Sequence, residues 1–214
     1  MRLYTYFRSS AAFRVRIALN IKGLAYDAAF INMKPPAMQQ RAPEFLAVNP
    51  LGLVPALTHE GTTLTQSLAI IEYLEEIQPQ PTLLPASPAD RALVRAMALA
   101  VACEMHPINN LRVLNYLRAS LAQQEEAVSQ WYHHWVAAGF QSLEEDAKRR
   151  SGDGQHMFGK SVTLADIYLV PQMYNARRFK CDLSAYPTLR SICAHLESLP
   201  AFAKAAPEAQ PDAS

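Results

Sequence analysis

The sequence predicts two domains of different class, an α/β domain over residues 1–80 and an all-α domain over residues 89–214. Strand and helix patterns alternate in the first part, whereas only helical apolar periodicity occurs after residue 89. Residues 79–88 are predicted to be a linker, since the stretch QPQPTLLPASP is rich in proline. A chain of 214 residues, 50% of them hydrophobic, is long enough for one domain with a substantial core or for two smaller ones.

The first domain is predicted to follow the order β-α-β-(α)-β-β-α. Its first helix begins at Ser10 and ends at Lys22, where Gly23 supplies a C-terminal glycine. Its last helix, SLAIIEYLEEI, is amphipathic and has Ser67 as the expected N-cap. Residues 34–48 are proline-rich and irregular, with room for one helical turn. The strand patterns are LYTYF, YDAAFINM and the two halves of LVPALTHEGTTLTQ.

The second domain is predicted to contain long helices and no strand. Thr163 and Asp166 form a capping-box pattern at the start of one of them, which we assign to folding and not to catalysis. The ending AAPEAQPDAS is polar and contains proline, so a mobile tail is expected. The helical runs cover residues 91–104, 109–121, 125–148, 164–178 and 189–199.

Composition excludes several classes of function. A net charge of +1 gives no reason to expect nucleic acid or an acidic membrane surface as a partner, and no apolar run is long enough to span a bilayer. The N-terminus has a strand pattern with arginines in it, unlike a signal peptide. Cys103, Cys181 and Cys193 lack C-x-x-C or zinc spacing, so we expect buried, reduced thiols, no metal site and a cytoplasmic protein.

Two short polar stretches stand immediately before helices in the first domain. Ser9 and Ser10 follow the first strand, and Gln66 and Ser67 precede the last helix. A helix N-terminus offers unpaired N–H groups and a positive dipole end, so each could hold an anion such as a thiolate or a carboxylate. Taken alone, simple capping is the better explanation for Ser67, and capping also explains Ser9 and Ser10. Pro55, within a strand pattern, indicates either an ordinary edge proline or a cis bond that exposes the backbone of Val54.

The first domain contains the motifs SS with RVRIAL, NP followed by VPAL, and QSLAIIEYLEE. The second domain contains EMHPINNLRVL, TLADIYLVPQ, ARRF and the ending AAPEAQPDA. Taken together, these motifs resemble those of zeta-class glutathione transferases, the class of the maleylacetoacetate and maleylpyruvate isomerases. The resemblance covers nearly the whole chain, and the order and spacing of the motifs make it specific.

The resemblance implies a thioredoxin-like, glutathione-binding first domain, a helical substrate-binding second domain, and glutathione as the coenzyme of a cis–trans isomerisation. It also implies a homodimer and a small dicarboxylate substrate from aromatic catabolism, such as tyrosine breakdown. Ser9, assisted by Ser10, would hydrogen-bond the glutathione sulfur. The other glutathione contacts would come from Val54 with cis Pro55, Gln66, Ser67, His106 and Asn110. The substrate carboxylates would be bound by Arg8, Arg112, Arg177 and Arg178.

The sequence departs from the class pattern after the two serines, where Ala11 and Ala12 replace a cysteine and a hydroxyl residue. Residues 51–53, LGL, stand directly before Val54 and Pro55 and lack a polar residue that is common at that place in the class. This absence predicts modest affinity for glutathione. Two alternatives therefore stay open. One is a transferase or dehalogenase that conjugates glutathione to small electrophiles, and the other is a non-catalytic binding module. Arg14 and Arg16, about 200° apart on the first helix, are expected to be structural or surface residues.

Overall fold

The computed structural model describes residues 1–213 and divides the chain into two compact units. The first unit consists of residues 1–82 together with the chain from residue 198 onward, and the second consists of residues 83–197. Each unit is described below by itself.

The first unit has the element order that the sequence predicts. Its strands are β1 (Arg2–Thr5), β2 (Asp27–Phe30), β3 (Ala56–His59) and β4 (Thr62–Thr65). Its helices up to residue 82 are α1 (Ser10–Lys22), α2 (Pro43–Leu46) and α3 (Ser67–Ile77), with a short 3₁₀ turn at Gln39–Arg41. The sheet order is β2-β1-β3-β4, with β1 parallel to β2 and the other two pairs antiparallel.

The core of the first unit lies between the sheet and the pair α1 and α3, which pack against each other. Leu3 and Leu57, paired across β1 and β3, have no exposed surface. Ile17 of α1 and Ile70 of α3 are equally buried. Burial of these side chains supplies the main driving force for folding, about 1.5–3 kcal/mol for each.

Local signals set both ends of α1 where the sequence predicts them. The Ser9 hydroxyl accepts a hydrogen bond from the Ala12 N–H at 3.2 Å, as an N-cap does. Gly23 adopts φ +65°, and its N–H donates to the carbonyl of Asn20 at 3.2 Å. A side chain at that φ would be strained, which explains the glycine.

The predicted N-cap of α3 is wrong by one residue. Ser67 is the first residue of the helix, and Gln66 occupies the cap position with φ +69°. The Ser67 hydroxyl accepts a hydrogen bond from Arg14. It is therefore engaged with a neighbouring helix.

The second unit is helical, as predicted, and α7 forms much of its centre. Its helices are α4 (Pro88–Leu99), α5 (Leu111–Ala119), α6 (Glu125–Arg150), α7 (Leu164–Arg178) and α8 (Pro187–Ser198), with a π-helical stretch at Ala100–Met105 after α4. Gly139 of α6 faces Met105 so closely that a Cβ on the glycine would overlap the methionine sulfur. Within residues 1–213, no helix is both long and apolar enough to cross a bilayer.

The C-terminal segment differs from both expectations made for it. Up to residue 213 it is folded where a mobile tail was expected, and it belongs to the first unit although the sequence-based boundary placed it in the helical domain. It forms α9 (Pro200–Ala205) and a 3₁₀ turn at Pro207–Ala209, and α9 packs against α1. Phe202, Ala205 and Pro207 are buried there, so apolar contacts hold a segment that is polar on average.

The arginines of α1 and the three thiols agree only in part with the burial expected from the sequence. Arg14 and Arg16 are both 1% exposed, so both are structural and neither lies on the surface. Among the thiols, Cys193 is buried as expected, Cys181 is half-buried and Cys103 is exposed.

A buried ion pair fastens α1 to α3. The Lys22 ammonium, whose side chain has no exposed surface, donates to the Glu75 carboxylate and to the Pro81 carbonyl at 2.7 Å. Because Lys22 keeps the Pro81 carbonyl as a partner but loses its counter-charge, we expect Glu75→Ala to lower the free energy of unfolding by about 1–3 kcal/mol. Urea denaturation would measure the loss. Glu76→Ala, at the exposed neighbouring position, should change it by less than about 0.5 kcal/mol, and equal losses would contradict the prediction.

Candidate functional site

Three chain segments of the first unit leave the sheet at the same edge. Tyr4 of β1 pairs with Ala56 of β3, and Ala56 pairs in turn with Thr65 of β4. Just beyond these paired residues lie the segment after β1 with Arg8 and Ser9, the segment before β3 with Val54, and the start of α3. The sheet register therefore brings most of the predicted glutathione residues to one edge.

Ser9 lies at the turn between β1 and α1. Its N–H donates to the Tyr6 carbonyl at 2.9 Å, and its hydroxyl oxygen accepts from the Ala12 N–H at 3.2 Å. Accepting that bond orients the oxygen and leaves the hydroxyl hydrogen for donation to another group. Ala12 has no exposed surface, so its side chain belongs to the core and it contributes through its backbone N–H. Ser10 is buried as the first residue of α1.

The start of α3 is reinforced by a buried cation that the sequence analysis did not assign to the site. Arg14 Nη1 donates to the Ser67 hydroxyl at 3.3 Å. The positive end of the α3 dipole and the Arg14 guanidinium thus lie together, a combination that favours a bound carboxylate. The available signal was an arginine inside the otherwise apolar stretch AAFRVRIAL.

The segment before β3 has the expected peptide geometry. The Val54–Pro55 bond is cis. Nearby, the backbone of Gln40 approaches Gly52 so closely that a Cβ on the glycine would lie 2.7 Å from the Gln40 carbonyl. Gln40 is 6% exposed, and its Oε1 has no hydrogen-bond partner within residues 1–213. Gln40 is a polar side chain that the sequence analysis missed, because it stands in the irregular proline-rich segment.

A cleft of about 240 Å³ opens in the first unit beside the β1–α1 turn. Aromatic rings and polar groups line it together, and Asp212 of the C-terminal segment forms part of its wall. The lining residues are Tyr6, Phe7, Phe30, Asn32, Lys34, Gln39 and Asp212.

Two cations border the Phe7 ring next to this cleft. The Arg8 guanidinium carbon lies 4.9 Å from the ring centroid, and Lys34 Nζ lies 5.2 Å from it. Arg8 is exposed, whereas Phe7 is 5% exposed. The arrangement concentrates positive charge at one end of β1 and suits an anionic ligand. The sequence analysis identified Arg8 and did not identify Lys34.

In the second unit, the predicted residues lie between the π-helical stretch and α5. The His106 N–H donates to the Val101 carbonyl at 2.9 Å, which continues the π-helical stretch. The Asn110 side chain accepts from the Arg112 N–H at 3.1 Å and so caps α5. The Arg112 side chain is exposed in the first turn of that helix.

The two arginines at the end of α7 differ in their surroundings. Arg177 Nη1 donates to the Glu197 carboxylate of α8. The Arg178 guanidinium carbon lies 4.9 Å from the centroid of the Phe179 ring. The guanidinium of Arg177 is thus already engaged with a carboxylate. Arg178 is therefore the better candidate of the two for binding a carboxylate of the substrate.

The half-buried and buried thiols of this chain are poor nucleophiles. Burial raises the pKa of the Cys181 thiol to about 11 and raises that of Cys193 well above its ordinary value. At neutral pH both are protonated, and the thiolate is the reactive form. Neither Cys181 nor Cys193 is therefore suited to supply a thiolate.

Comparison with known proteins shows what the chain is related to. Residues 8–77 match the family model for the glutathione S-transferase N-terminal domain. A probable maleylacetoacetate isomerase from Vibrio cholerae is 52% identical over 211 residues, which is 99% of this chain and 97% of the relative. The solved holo structure of a maleylpyruvate isomerase, a bacterial zeta-class glutathione transferase, is 45% identical, covers 100% of both chains and has a TM-score of 0.96. The chain belongs to the zeta-class glutathione transferase family.

The family membership confirms the resemblance and the predicted fold class, a thioredoxin-like domain with a four-stranded sheet joined to a helical domain. A further member of the family is a maleylacetoacetate isomerase from Methylobacterium extorquens AM1, solved with bound malonate and glutathione. It is 40% identical, covers 100% of both chains and has a TM-score of 0.94.

Proposed function

We propose that this zeta-class protein is a glutathione-dependent cis–trans isomerase of maleylacetoacetate or maleylpyruvate, with a role in aromatic amino acid or aromatic compound breakdown. The observation that carries the proposal is the β1–α1 turn, where the Ser9 hydroxyl is oriented at a helix N-terminus and Arg8 stands beside it. The names and bound ligands of close relatives support it.

The residues of the first unit fit glutathione. Ser67 at the start of α3, with Arg14 behind it and Gln66 before it, suits the γ-glutamyl carboxylate. The backbone of Val54 would pair with the cysteinyl part as an added strand does. The buried Oε1 of Gln40 lacks a partner within the described chain, and a peptide N–H of glutathione would satisfy it.

Bound glutathione supplies a thiolate that adds reversibly to the substrate double bond and so permits rotation about it. Ser9 donates a hydrogen bond that favours the charged form of the sulfur, and the α1 N-terminus adds its positive dipole. Positioning of the reacting groups and stabilisation of developing negative charge account for the rate gain. No protein nucleophile is required.

The substrates carry carboxylates at both ends, and cationic side chains would bind them. Arg8 offers a planar fork that matches a carboxylate, and Lys34 offers a second charge near the same ring. Arg112 and Arg178 of the second unit are proposed for the substrate, and His106 and Asn110 for glutathione, on the basis of the family alone. Arg177 is less suited, because Glu197 already holds it.

A spectrophotometric assay tests the proposal. Maleylacetoacetate and maleylpyruvate, each generated in situ, would be followed with and without glutathione. Turnover that depends on glutathione supports the proposal, and the preferred substrate identifies the pathway. Conjugation of glutathione to a small electrophile without isomerisation would favour the transferase alternative. Binding of glutathione without any turnover would favour the non-catalytic module.

Replacing Arg8 should separate substrate binding from glutathione binding. We expect Arg8→Ala to lower kcat/KM for the dicarboxylate substrate about 10- to 100-fold, which corresponds to a lost charge-assisted hydrogen bond of about 1.5–3 kcal/mol. Arg8→Lys should recover part of the loss, since it keeps the charge and loses the fork. The inhibition constant of malonate, a dicarboxylate that is not turned over, should rise in parallel.

Arg2→Ala is the matched control for Arg8. Arg2 is an exposed arginine at the opposite end of β1, where its guanidinium lies near the Tyr4 ring. Its removal should leave kcat/KM and malonate inhibition unchanged. An Arg8→Ala protein with unaltered kcat/KM, or one whose only change is a weaker affinity for glutathione, would remove Arg8 from the substrate site.

We also propose that the protein is a cytoplasmic homodimer. The dimer rests on family membership, and the compartment rests on three cysteines that are all free among the described residues. Light scattering coupled to size exclusion would measure the mass against the 23.8 kDa of one chain.

A further inference from the structure

The C-terminal segment is attached to α1 by side chains that reach its backbone. Arg16 Nε donates to the Ala205 carbonyl at 3.0 Å, and Asn20 Nδ2 donates to the Ala201 carbonyl at 2.9 Å. Both bonds link residues more than 180 positions apart in the sequence. The chain therefore returns to the first unit at a defined register before it ends.

Beyond α9, the segment reaches the turn that precedes α1. Asp212 Oδ2 accepts a hydrogen bond from the Phe7 N–H at 3.0 Å. The other carboxylate oxygen, Oδ1, is buried and has no hydrogen-bond partner within residues 1–213. Phe7 directly precedes Arg8 and Ser9, so a charged side chain from the far end of the sequence holds the backbone next to both.

Arg16 holds the same turn from the side of α1. Its guanidinium donates to the Thr5 hydroxyl at 3.0 Å, to the Tyr6 carbonyl at 3.4 Å and to the Phe7 carbonyl at 3.1 Å. Burial lowers the pKa of Arg16 to about 10, and the charges of Tyr26 and Asp212, in that order of size, act in the opposite direction. Arg16 is therefore cationic at neutral pH, and the charge of the carboxylate that binds the amide of Phe7 acts on it.

We propose that Asp212 and Arg16 are positioning residues that fix the backbone conformation of the Arg8–Ser9 turn. The C-terminal segment thereby contributes to the geometry of the active site. The inference rests on the proposed function, in which Ser9 holds the sulfur and Arg8 holds the substrate. One residue, Phe7, is bound through its N–H by Asp212 and through its carbonyl by Arg16. Fixing both backbone groups of Phe7 restricts where the next two residues lie, and small displacements of catalytic groups lower rates strongly.

Two substitutions of Asp212 test the proposal without disturbing the core. Asp212→Ala removes the acceptor for the Phe7 N–H, and Asp212→Asn keeps an acceptor oxygen while removing the charge that acts on Arg16. We expect kcat to fall about 10-fold in Asp212→Ala and less in Asp212→Asn, with KM for the substrate changed less than kcat. The loss should be larger at pH 6.5 than at pH 9, since a thiol with an ordinary pKa of about 8.5 ionises without help at high pH.

Amide hydrogen exchange of the glutathione-free protein gives a readout besides activity. In Asp212→Ala, the Phe7 amide should exchange at least about 10-fold faster, while core amides such as that of Leu57 stay unchanged. Glu208→Gln alters an exposed carboxylate of the same segment and should leave both exchange and kcat unchanged.

Two results would overturn the proposal. One is an Asp212→Ala protein whose kcat and Phe7 exchange stay within twofold of the original. The other is a lower Tm with an unaltered pH profile, which would mean that Asp212 only stabilises the fold. If the unsubstituted protein does not isomerise either substrate, the proposed function fails, and the exchange experiment alone then decides whether Asp212 holds the turn.

Discussion

Replacing Ser9 by alanine is expected to lower the isomerase kcat about 100-fold at neutral pH. Removal of one hydrogen-bond donor to an active-site anion typically costs a factor of about 10²–10³. The hydroxyl of Ser9 is prearranged for donation, because its oxygen is fixed by the Ala12 N–H at 3.2 Å. The effect should shrink above pH 8.5, about the ordinary pKa of a free thiol, where the sulfur ionises unaided.

Ser9 also caps α1, so its catalytic effect must be separated from its effect on stability. Loss of a serine N-cap costs about 1 kcal/mol of stability. Ser87 is a matched control, because its hydroxyl caps α4 in the second unit by accepting from the Asp90 N–H at 3.4 Å. Ser87→Ala should lower Tm to an extent similar to Ser9→Ala and leave kcat unchanged.

Ser9→Thr provides the complementary measurement. Threonine keeps a hydroxyl and is itself an accepted N-cap, so much of the activity should return. A Ser9→Ala protein with full kcat at pH 7 would show that Ser9 is a cap and nothing more. In that event the sulfur would have to be held by the backbone N–H groups at the start of α1.

The parts of this structure that the sequence predicts well depend on signals close together in the chain. The helix from Ser10 to Lys22 has its cap, its apolar residues and Gly23 within 15 residues, and the structure has the same bounds. The same is true of α7, where Thr163 and Asp166 mark the start and Arg178 is the predicted and observed end. Local hydrogen bonds decide these boundaries, so a local reading suffices.

The parts that the sequence does not predict depend on partners far away in the chain. The sequence leaves open whether Arg14 and Arg16 are structural or surface residues, because nothing nearby shows that Ser67 and the end of β1 accept their hydrogen bonds. The C-terminal segment looks like a polar tail for the same reason. The groups that donate hydrogen bonds to it lie on α1 and at Phe7, about 200 residues earlier.

The candidate site residues follow the same division. The stretch around Ser9 was identifiable because a strand, two serines and a helix follow one another directly. Gln40 and Lys34 were missed, because an irregular proline-rich segment has no periodicity that could show which side chains turn inward. The pairing of Arg177 with Glu197, 20 residues later, also could not be read from a helix end alone.

The largest loss of stability is expected from Asp166→Ala. Asp166 has no exposed surface, and its carboxylate accepts three hydrogen bonds at the start of α7. The donors are the Met157 N–H at 2.7 Å, the Thr163 N–H at 2.7 Å and the Thr163 hydroxyl at 2.8 Å. Alanine would leave two buried N–H groups unpaired at about 1–3 kcal/mol each, so the free energy of unfolding should fall by about 3–5 kcal/mol.

A loss of that size is a large part of the stability of a typical domain, about 5–15 kcal/mol, so poor recovery of soluble Asp166→Ala protein is itself an expected result. Thr163→Ala keeps the carboxylate and both N–H bonds, and should cost only about 1 kcal/mol in urea denaturation.

Asp182 is the matched control, since it is exposed and accepts one backbone bond, from the Ser184 N–H at 2.9 Å. If Asp166→Ala and Asp182→Ala unfold at the same urea concentration, burial of the capping box does not determine the stability of the second unit. If Asp166→Ala is far less stable but its soluble fraction retains full kcat, the residue acts in folding and not in catalysis, as the position of its bonds inside the core requires.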